Sequence, residues 1–408
     1  MTGGDGLAPT KVLLAMSGGV DSSVAAVRLK QAGHEVVGVF MRLGSPGESL
    51  DELIPGADAC PTGRVRIGKQ GCCSVRDAAD ARLVAARLDI PFYVVNFKRE
   101  FGRIINYFVD EYNAGRTPNP CVRCNDWLKF GRLHEHARGI GATHVASGHY
   151  ARIGRSDHGK PQLLRGHDAA KDQSYVLFGA PREKLDGMLL PIGGFPKSEV
   201  RAMAAEHDLP VFDKPDSQEI CFVPDDDYAG LVARRSPGQV EPGAIVDTDG
   251  KTLGEHPGHQ HFTIGQRRRI GVALGHPLYV VEKDASSNTI TVGAKEALLV
   301  SACQAGETNW LVDPPHDWTE CTVQFRAHGD PAPAEVRSVR VSAAAIGQVA
   351  ADDDTTKTLS TEPTALVDAI DVRFASPQEG VAPGQAIVAY DGDVVLGGGW
   401  IHATQRVD

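Results

Sequence analysis

A chain of 408 residues that is 42% hydrophobic and 23% charged has the composition of a folded protein of two or three domains, with enough apolar material for sizeable cores. No apolar run approaches the roughly 20 residues of a membrane span, and the first ten residues are Gly-rich and acidic where a signal peptide would be basic and then apolar, so a cytoplasmic protein with no membrane partner is the expectation. The net charge of −10 argues against a surface coated in basic residues for nonspecific nucleic-acid binding, and leaves room for a local basic face.

The first element is the strand-like run Val12-Leu13-Leu14-Ala15-Met16, followed by Ser17-Gly18-Gly19-Val20-Asp21-Ser22-Ser23 and a helical pattern through Val24, Ala25, Val27 and Leu29. Two adjacent glycines allow a sharp backbone turn, and the N–H groups freed at the helix start favour an anion. Ser17, Ser22 and Ser23 add hydroxyl donors, while Asp21 in such a nest makes most sense holding a Mg²⁺ that accompanies a polyphosphate. The string is neither Gly-x-x-x-x-Gly-Lys-Ser/Thr nor Gly-x-Gly-x-x-Gly, and a plain helix cap would need one Ser or Asp rather than all of it. Glu35 to Met41 is a second β-rich run, so the chain opens with a βαβ unit and hence a parallel sheet.

From Arg42 to Gln70 the composition turns to Gly, Pro, Ser and Asp, a long loop carrying Cys60 and ending at Gly71-Cys72-Cys73. A helix from Val75 to Leu88, the strand Phe92 to Val95 and a helix from Glu100 to Asn113 follow, with Phe101, Tyr107, Phe108 and Tyr112 read as core. Next comes Thr117-Pro118-Asn119-Pro120-Cys121-Val122-Arg123-Cys124-Asn125, ahead of a helix from Trp127 to Ala137. The prolines stiffen this loop, and a helix start lowers a thiol pKa. Thr143 to Ser147 reads as another parallel strand opening onto Gly148-His149-Tyr150, so Gly19, Met41 and Gly148 could line one nucleotide pocket beyond the strand ends. Lys171-Asp172-Gln173-Ser174-Tyr175 is a polar loop before a short apolar helix, and a helix from Ser198 to His207 leads to Asp216-Ser217 and Ile220-Cys221-Phe222.

Beyond Asp227 the pattern changes to short strands punctuated by glycine, at 244–246, 278–281, 289–292, 372–374, 386–390 and 394–396, consistent with a small barrel at the end. Arg267-Arg268-Arg269, with Lys251 and Lys283 on the same stretch, is the strongest basic concentration. Asp352 to Pro363 is low in apolar residues and reads as an insertion. Eight cysteines in such a chain suggest reduced thiols, metal ligands or catalytic groups, with Cys303 and Cys321 most simply core.

Ser-Gly-Gly-x-Asp-Ser directly after a strand resembles the pyrophosphate loop of ATP pyrophosphatases. Together with the Asn119 to Asn125, Gly148 to Tyr150, Lys171 to Tyr175, Asp216 to Phe222 and His261 to Arg267 motifs, it resembles the bacterial tRNA-specific 2-thiouridylase family in order and over nearly the whole chain. The resemblance implies an α/β N-terminal domain with a Rossmann-like parallel sheet of the adenine nucleotide alpha hydrolase type over residues 1–225. It implies a central β-rich domain that binds tRNA over 226–298 and a C-terminal β-barrel over 299–408. The implied activity is that of a sulfurtransferase: ATP-dependent 2-thiolation of the wobble uridine of tRNA, by adenylation of the uracil C2 oxygen with Mg²⁺. Sulfur would come from a cysteine-desulfurase relay, and the protein would act as a monomer.

By the same resemblance, Ala15, Met16, Ser17, Gly18, Gly19, Val20, Asp21, Ser22, Met41 and Gly148 bind ATP, Cys221 carries a persulfide, and Cys124 attacks it to leave a Cys124–Cys221 disulfide. Asn119, Pro120 and Cys121 face the target base, and His149, Lys171, Asp172, Gln173, Arg267, Arg326, Ala327 and Gln385 contact tRNA. One departure stands out: the family pattern Asn-Pro-Asp-x-x-Cys reads Asn119-Pro120-Cys121-Val122-Arg123-Cys124 here. A thiol replaces a carboxylate, so Cys121, Cys124 and Cys221 could instead hold an iron–sulfur cluster with one open iron. Cys121 and Cys124 could also be half of a zinc site completed by Cys72 and Cys73, though a closed site would leave no thiol for catalysis. A small-molecule ligase or amidotransferase with the same loop, and a non-enzymatic RNA-binding protein, remain as other classes; the first needs no paired cysteines and the second leaves the loop unexplained.

Overall fold

The structure is a computed structural model that describes residues 8–44, 75–216, 220–223, 227–327, 329–346 and 365–407. The expectations for Cys60, Cys72, Cys73, Ser217, most of the loop after Arg42 and the insertion from Asp352 to Pro363 lie outside the described residues. The chain forms two compact units, Met1–Ile105 with Arg123–Asp227, and Asn106–Val122 with Tyr228–Asp408.

The first unit runs β1 (Lys11–Ala15), α1 (Val20–Gln31), β2 (Glu35–Arg42), α2 (Val75–Arg87), β3 (Phe92–Asn96) and α3 (Lys98–Asn113), the last of which continues into the second unit. The chain passes through the second unit as far as α4 (Pro120–Arg123), and the first unit resumes with a π-helical run (Cys124–Arg132) and α5 (Leu133–Gly139), followed by β4 (His144–Ser147), the hairpin of β5 (Ala151–Arg155) and β6 (Pro161–Arg165), β7 (Met188–Leu189) and α6 (Lys197–Glu206). Five strands form one sheet in the order β3-β2-β1-β4-β7, and every neighbouring pair is parallel. The expected parallel sheet is therefore present. Val12, Leu13 and Leu14 are all buried, as the central strand of a sheet covered on both faces requires. Small residues of α1, among them Val24, Ala25 and Ala26, pack into this core with Ala81, Val84 and Ala85 of α2, which recur at helical spacing.

Strand order reverses between β1 and β4, so the loops leaving their carboxyl ends part there and open a crevice. One helix departs from the sequence pattern. The helix expected from Trp127 begins at Pro120 instead, and Cys124–Arg132 adopts π geometry. Proline is well suited to a first helical position, and the Asn119 Oδ1 accepts from the Val122 N–H at 3.4 Å in the manner of a cap.

The second unit begins, after residues 106–122, with α7 (Tyr228–Arg235) and a four-stranded sheet of β8 (Gly243–Val246), β9 (Thr252–His256), β10 (Tyr279–Asp284) and β11 (Thr289–Gly293). Ile245, Phe262, Ile270, Val280, Ile290 and Val292 make its core. Six further strands follow: β12 (Leu299–Trp310), β13 (Thr319–Gln324), β14 (Ala332–Ser342), β15 (Leu366–Glu379), β16 (Ala386–Asp391) and β17 (Val394–Arg406). They pair antiparallel in the order β12-β15-β14-β13-β16-β17, and β12 also pairs with β17, so the sheet closes into the expected barrel. Cys303 is buried inside it and Cys321 packs against the same core; burial raises both thiols, Cys321 to about 12.

The basic stretch differs from expectation at Lys283. A bulge between Val280 and Glu282 resets the alternation of β10, and the Lys283 amine turns inward to donate to the Phe262 carbonyl at 2.8 Å beside the Tyr112 ring. Burial lowers its pKa to about 8. Arg267, Arg268 and Arg269 remain exposed.

Candidate active site

The turn after β1 lies at the reversal point of the first sheet. Gly18 sits at φ +73°, and a Cβ there would fall 2.1 Å from the Asp77 carbonyl oxygen, so only glycine can make this turn against α2. Gly148, just past β4, comes equally close from the other side: its missing Cβ would lie 2.6 Å from the Ser22 nitrogen. The two glycines let the backbones of β1, α1 and β4 converge. Gly19 occupies the N-cap position of α1 and no side chain among the described residues caps the helix, so the first-turn N–H groups have no intrahelical acceptor. Ser22 Oγ accepts from the Ser17 N–H at 3.1 Å and donates to the Gly19 carbonyl at 3.3 Å, while Ser23 Oγ donates to the same carbonyl at 2.7 Å. These hydroxyls fix the curvature of the nest. Ala15, Met16 and Val20 are buried beneath it, Ser17 is exposed at its rim, and Met41 is half-buried at the end of β2.

Asp21 is the charged residue of the nest, and its carboxylate has protein partners. Tyr150 Oη donates to Oδ1 at 2.7 Å, and Lys197 Nζ donates to Oδ1 and Oδ2 at 2.7 and 2.9 Å. The same amine lies 2.9 Å from Asp216 Oδ1, which Arg201 also reaches at 2.8 Å, and Lys171 pairs with Asp216 Oδ2 at 2.9 Å. Burial alone would raise the Asp216 pKa, but the hydrogen bonds and charges of Lys171 and Lys197 outweigh it and hold the carboxyl at about 2. Beneath the turn, Lys214 Nζ donates to the Gly18 carbonyl at 2.9 Å and to Asp77 and Asp80 at 2.7 and 2.6 Å. Two lysines thus brace the nest from either side, Lys197 at Asp21 and Lys214 at Gly18. The segment bearing Lys214 and Asp216 leads to Cys221, which is half-buried, as is Cys124 at the start of the π-helical run.

His149 is buried, with Ser147 Oγ 2.7 Å from Nδ1 and Lys129 Nζ 3.3 Å from Nε2. An ammonium can only donate, so Nε2 accepts and Nδ1 carries the proton. Burial, reinforced by Lys129, depresses its pKa well below the ordinary histidine value, which keeps the ring neutral. Asp172 accepts from Arg165, the Gly166 and Ser174 N–H groups and the Ser174 hydroxyl, and Gln173 bonds the Tyr150 backbone through both its side-chain oxygen and its N–H. The Lys171 to Gln173 loop is thereby tied to the end of β4, with Lys171 its partly exposed cation.

In the second unit, the segment before Asn119 meets the segment before Gln385: the Thr117 N–H donates to the Pro383 carbonyl at 3.0 Å, and Gly384, at φ +87°, lies against Thr117 with no room for a Cβ. Gln385 Oε1 accepts from the Ala382 N–H at 3.2 Å. Pro120 is buried and Cys121 exposed. Arg326 donates to the Glu379 carbonyl at 3.2 Å, and Gln324 donates to the Arg326 and Ala327 carbonyls. Arg267 lines a surface cavity of about 350 Å³ with Arg269 and His276. Among the described residues, no three His, Cys, Asp or Glu side chains gather as metal ligands.

The motifs find the nest but miss Lys197, Arg201 and Lys214. A signal for Lys197 exists in the sequence: a lysine in the first turn of a helix opposes the macrodipole and needs a carboxylate to hold it there.

The model of the tRNA methyl transferase HUP domain matches residues 10–225, that of the tRNA methyl transferase PRC-barrel domain 234–294, and that of the aminomethyltransferase beta-barrel domain 355–401. The chain is 44% identical over 415 residues to the tRNA-specific 2-thiouridylase MnmA of Rhodopirellula baltica, covering 98% of each. It is 43% identical over 400 residues to that of Geotalea uraniireducens, covering 96% of this chain and 95% of the relative. With the one for Beutenbergia cavernae, identity is 44% over 402 residues, covering 97% and 96%. Similarity at this level from end to end shows that the chain belongs to the tRNA-specific 2-thiouridylase family.

Proposed function

We propose that this chain is a tRNA sulfurtransferase that replaces the C2 oxygen of a wobble uridine with sulfur at the expense of ATP. The observation that carries the reading is the uncapped glycine nest at the reversal point of the parallel sheet, bracketed by Gly18 and Gly148. Such a nest suits a polyphosphate. Methyl transfer, the reaction named in the family-model descriptions, needs neither a polyphosphate cradle nor thiols.

The uracil C2 oxygen is a poor leaving group, so it attacks the α-phosphorus of ATP, expels pyrophosphate and becomes an AMP ester. The first-turn N–H groups of α1 and the Ser17 hydroxyl are suited to hold the phosphates. Asp21 would be the carboxylate to hold a Mg²⁺, an ion that commonly binds one or two carboxylates, completes its shell with phosphate and water, and would supply charge neutralisation there. The terminal sulfur of a Cys221 persulfide then attacks C2 and displaces AMP. Cys124 attacks the Cys221 sulfur, which breaks the sulfur–sulfur bond, leaves sulfur on C2 and forms a Cys124–Cys221 disulfide. A thiol reductant restores both cysteines, and a cysteine-desulfurase relay reloads Cys221.

Pyrophosphate release measured with and without tRNA, beside the mass of the recovered nucleoside, tests this. Release that requires tRNA and a gain of sulfur for oxygen supports it; release with a small-molecule acceptor alone would sink it. A second route, in which Cys121, Cys124 and Cys221 hold an iron–sulfur cluster that delivers sulfur from its open iron, is suggested by the closeness of Cys121 and Cys124 in sequence, but among the described residues the three thiols do not gather as metal ligands. The persulfide route predicts that Cys124→Ser and Cys221→Ser abolish thiolation while Cys121→Ser keeps appreciable activity. An inactive Cys121→Ser together with iron and sulfide in anaerobically purified protein would establish the cluster instead.

A further inference from the structure

Within the nest, the Gly18–Gly19 peptide is the link flanked by glycine on both sides, so side-chain sterics do not fix which way it faces. In a planar trans peptide the carbonyl and the N–H point to opposite sides, and whatever holds the Gly18 oxygen also aims the Gly19 N–H. Lys214 holds that oxygen. Its Nζ donates to it at 2.9 Å and is itself fixed by Asp77 Oδ1 at 2.7 Å and Asp80 Oδ2 at 2.6 Å, carboxylates one turn apart on α2. Burial would lower the Lys214 pKa, but the hydrogen bonds and charges of these two aspartates outweigh it and raise it, so the amine stays charged. Gly18 is buried, whereas Gly19 is half-buried, and its N–H has no acceptor among the described residues.

We propose that Lys214 is a positioning residue that sets the polarity of the nest: by holding the Gly18 carbonyl beneath the turn, it keeps the Gly19 N–H facing a bound polyphosphate that the lysine itself does not touch. The inference rests on the nest being the ATP site. A peptide turned over would present an oxygen where the N–H stands, and a carbonyl repels the phosphate that an N–H binds. Without the amine the glycine pair permits that turnover, and the apparent affinity falls with the fraction of molecules whose N–H still faces the ligand. Turnover would carry the Gly19 φ from −97° to a positive value, which glycine adopts freely and alanine resists. Alanine fits position 19 as it stands, since its Cβ would meet only the Ser17 Oγ, at 3.5 Å. Gly19→Ala should therefore do part of the work of Lys214, an effect that neither the charge of the lysine nor its packing would produce.

The test combines Lys214→Met with Asp77→Asn in the full chain, a pair that keeps the net charge and leaves no buried Asp77 carboxylate without its cation. Binding of a non-hydrolysable ATP analogue with Mg²⁺ is measured by calorimetry, and the crystal structure of the double variant is solved without nucleotide. Analogue affinity should fall about tenfold or more, tRNA affinity should hold, and the Gly18 carbonyl should face the nest. Asp77→Asn alone, which leaves the amine on the Gly18 oxygen, should bind as the wild type does. In a Gly19→Ala background the double variant should cost less than about threefold, because a positive φ is disfavoured for alanine. A Gly18 carbonyl still beneath the turn overturns the proposal, as does an equal loss in both backgrounds or with Asp77→Asn alone. Where Gly19→Ala by itself abolishes binding, the carbonyl orientation decides. Failure of the wild-type chain to bind the analogue would count against the ATP reading of the nest, while the orientation, read without ligand, would still judge the lysine.

Discussion

The nest of the first unit and the basic surface of the second would meet a phosphate in opposite ways. In the nest the anion is to be met by backbone: Gly18 at φ +73°, the uncapped start of α1, and lysines that are already paired with Asp21, Asp77 and Asp80. On the second unit the donors are exposed arginine side chains, Arg267 to Arg269, on a loop whose shape is held from within by the Lys283 amine at the Phe262 carbonyl. A backbone site costs no side-chain ordering when it binds and tolerates almost no substitution. A surface of long side chains is adaptable, salt-sensitive and forgiving. The two suit different tasks, positioning one reactive phosphorus and gripping an extended polyanion.

The contrast breaks most sharply at Asp21. Asp21→Ala should abolish tRNA-dependent pyrophosphate release while leaving tRNA affinity nearly intact; equal loss of both would mean that the two phosphate-handling regions do not act separately. Gly148→Ala should come next, because its Cβ has backbone on the other side and cannot be relieved by rotating a side chain. Pushing β4 and α1 apart should destabilise the first unit by about 3 kcal/mol and weaken ATP binding, readable by chemical denaturation and calorimetry. Wild-type values for both would show that the close approach of these elements is not needed.

A smaller effect distinguishes the second unit by pH. Lys283 has its pKa lowered to about 8 by burial, below the value near 10.4 of an unfolded lysine, so the unfolded chain binds more protons between these limits. Stability therefore rises as pH increases from about 8 to about 10, by at most roughly 2 kcal/mol since the side chain is only partly shielded. Lys283→Met should flatten that part of the profile, and an unchanged slope would mean that the amine is solvated. The smallest effects belong to the arginines. Replacing Arg267 or Arg268 with Ala should weaken tRNA binding modestly and reduce its salt slope by about one unit for each phosphate no longer neutralised. A slope that stays the same would show that these arginines do not touch the backbone of tRNA.

What is legible in the sequence follows the same division. The parallel sheet, the turn after β1 and the barrel strands depend on local spacing, and glycine pairs and alternating apolar residues announce them. Lys197 and Asp21 lie 176 residues apart, and no local rule joins them; only the awkwardness of a lysine at a helix start hints at a carboxylate partner. Lys283 reads as part of a basic face because one bulge in β10 shifts the strand's alternation, and a single inserted residue leaves no mark in the pattern of side chains. The π-helical run from Cys124 is hidden for a similar reason, since its apolar positions also fit an ordinary helix.

The bond between the Thr117 N–H and the Pro383 carbonyl, with Gly384 pressed against Thr117, ties an early loop to the far end of the barrel. As the chain emerges from the ribosome, the parallel sheet can assemble once its last strand, Met188–Leu189, is available, but Thr117 gains this bond only after Pro383 has been made. A chain that stops short of Pro383 should therefore keep the parallel sheet while losing this support for the Thr117 backbone. The arrangement amounts to a delayed fastening, in which a loop made early is held by a segment made long after it.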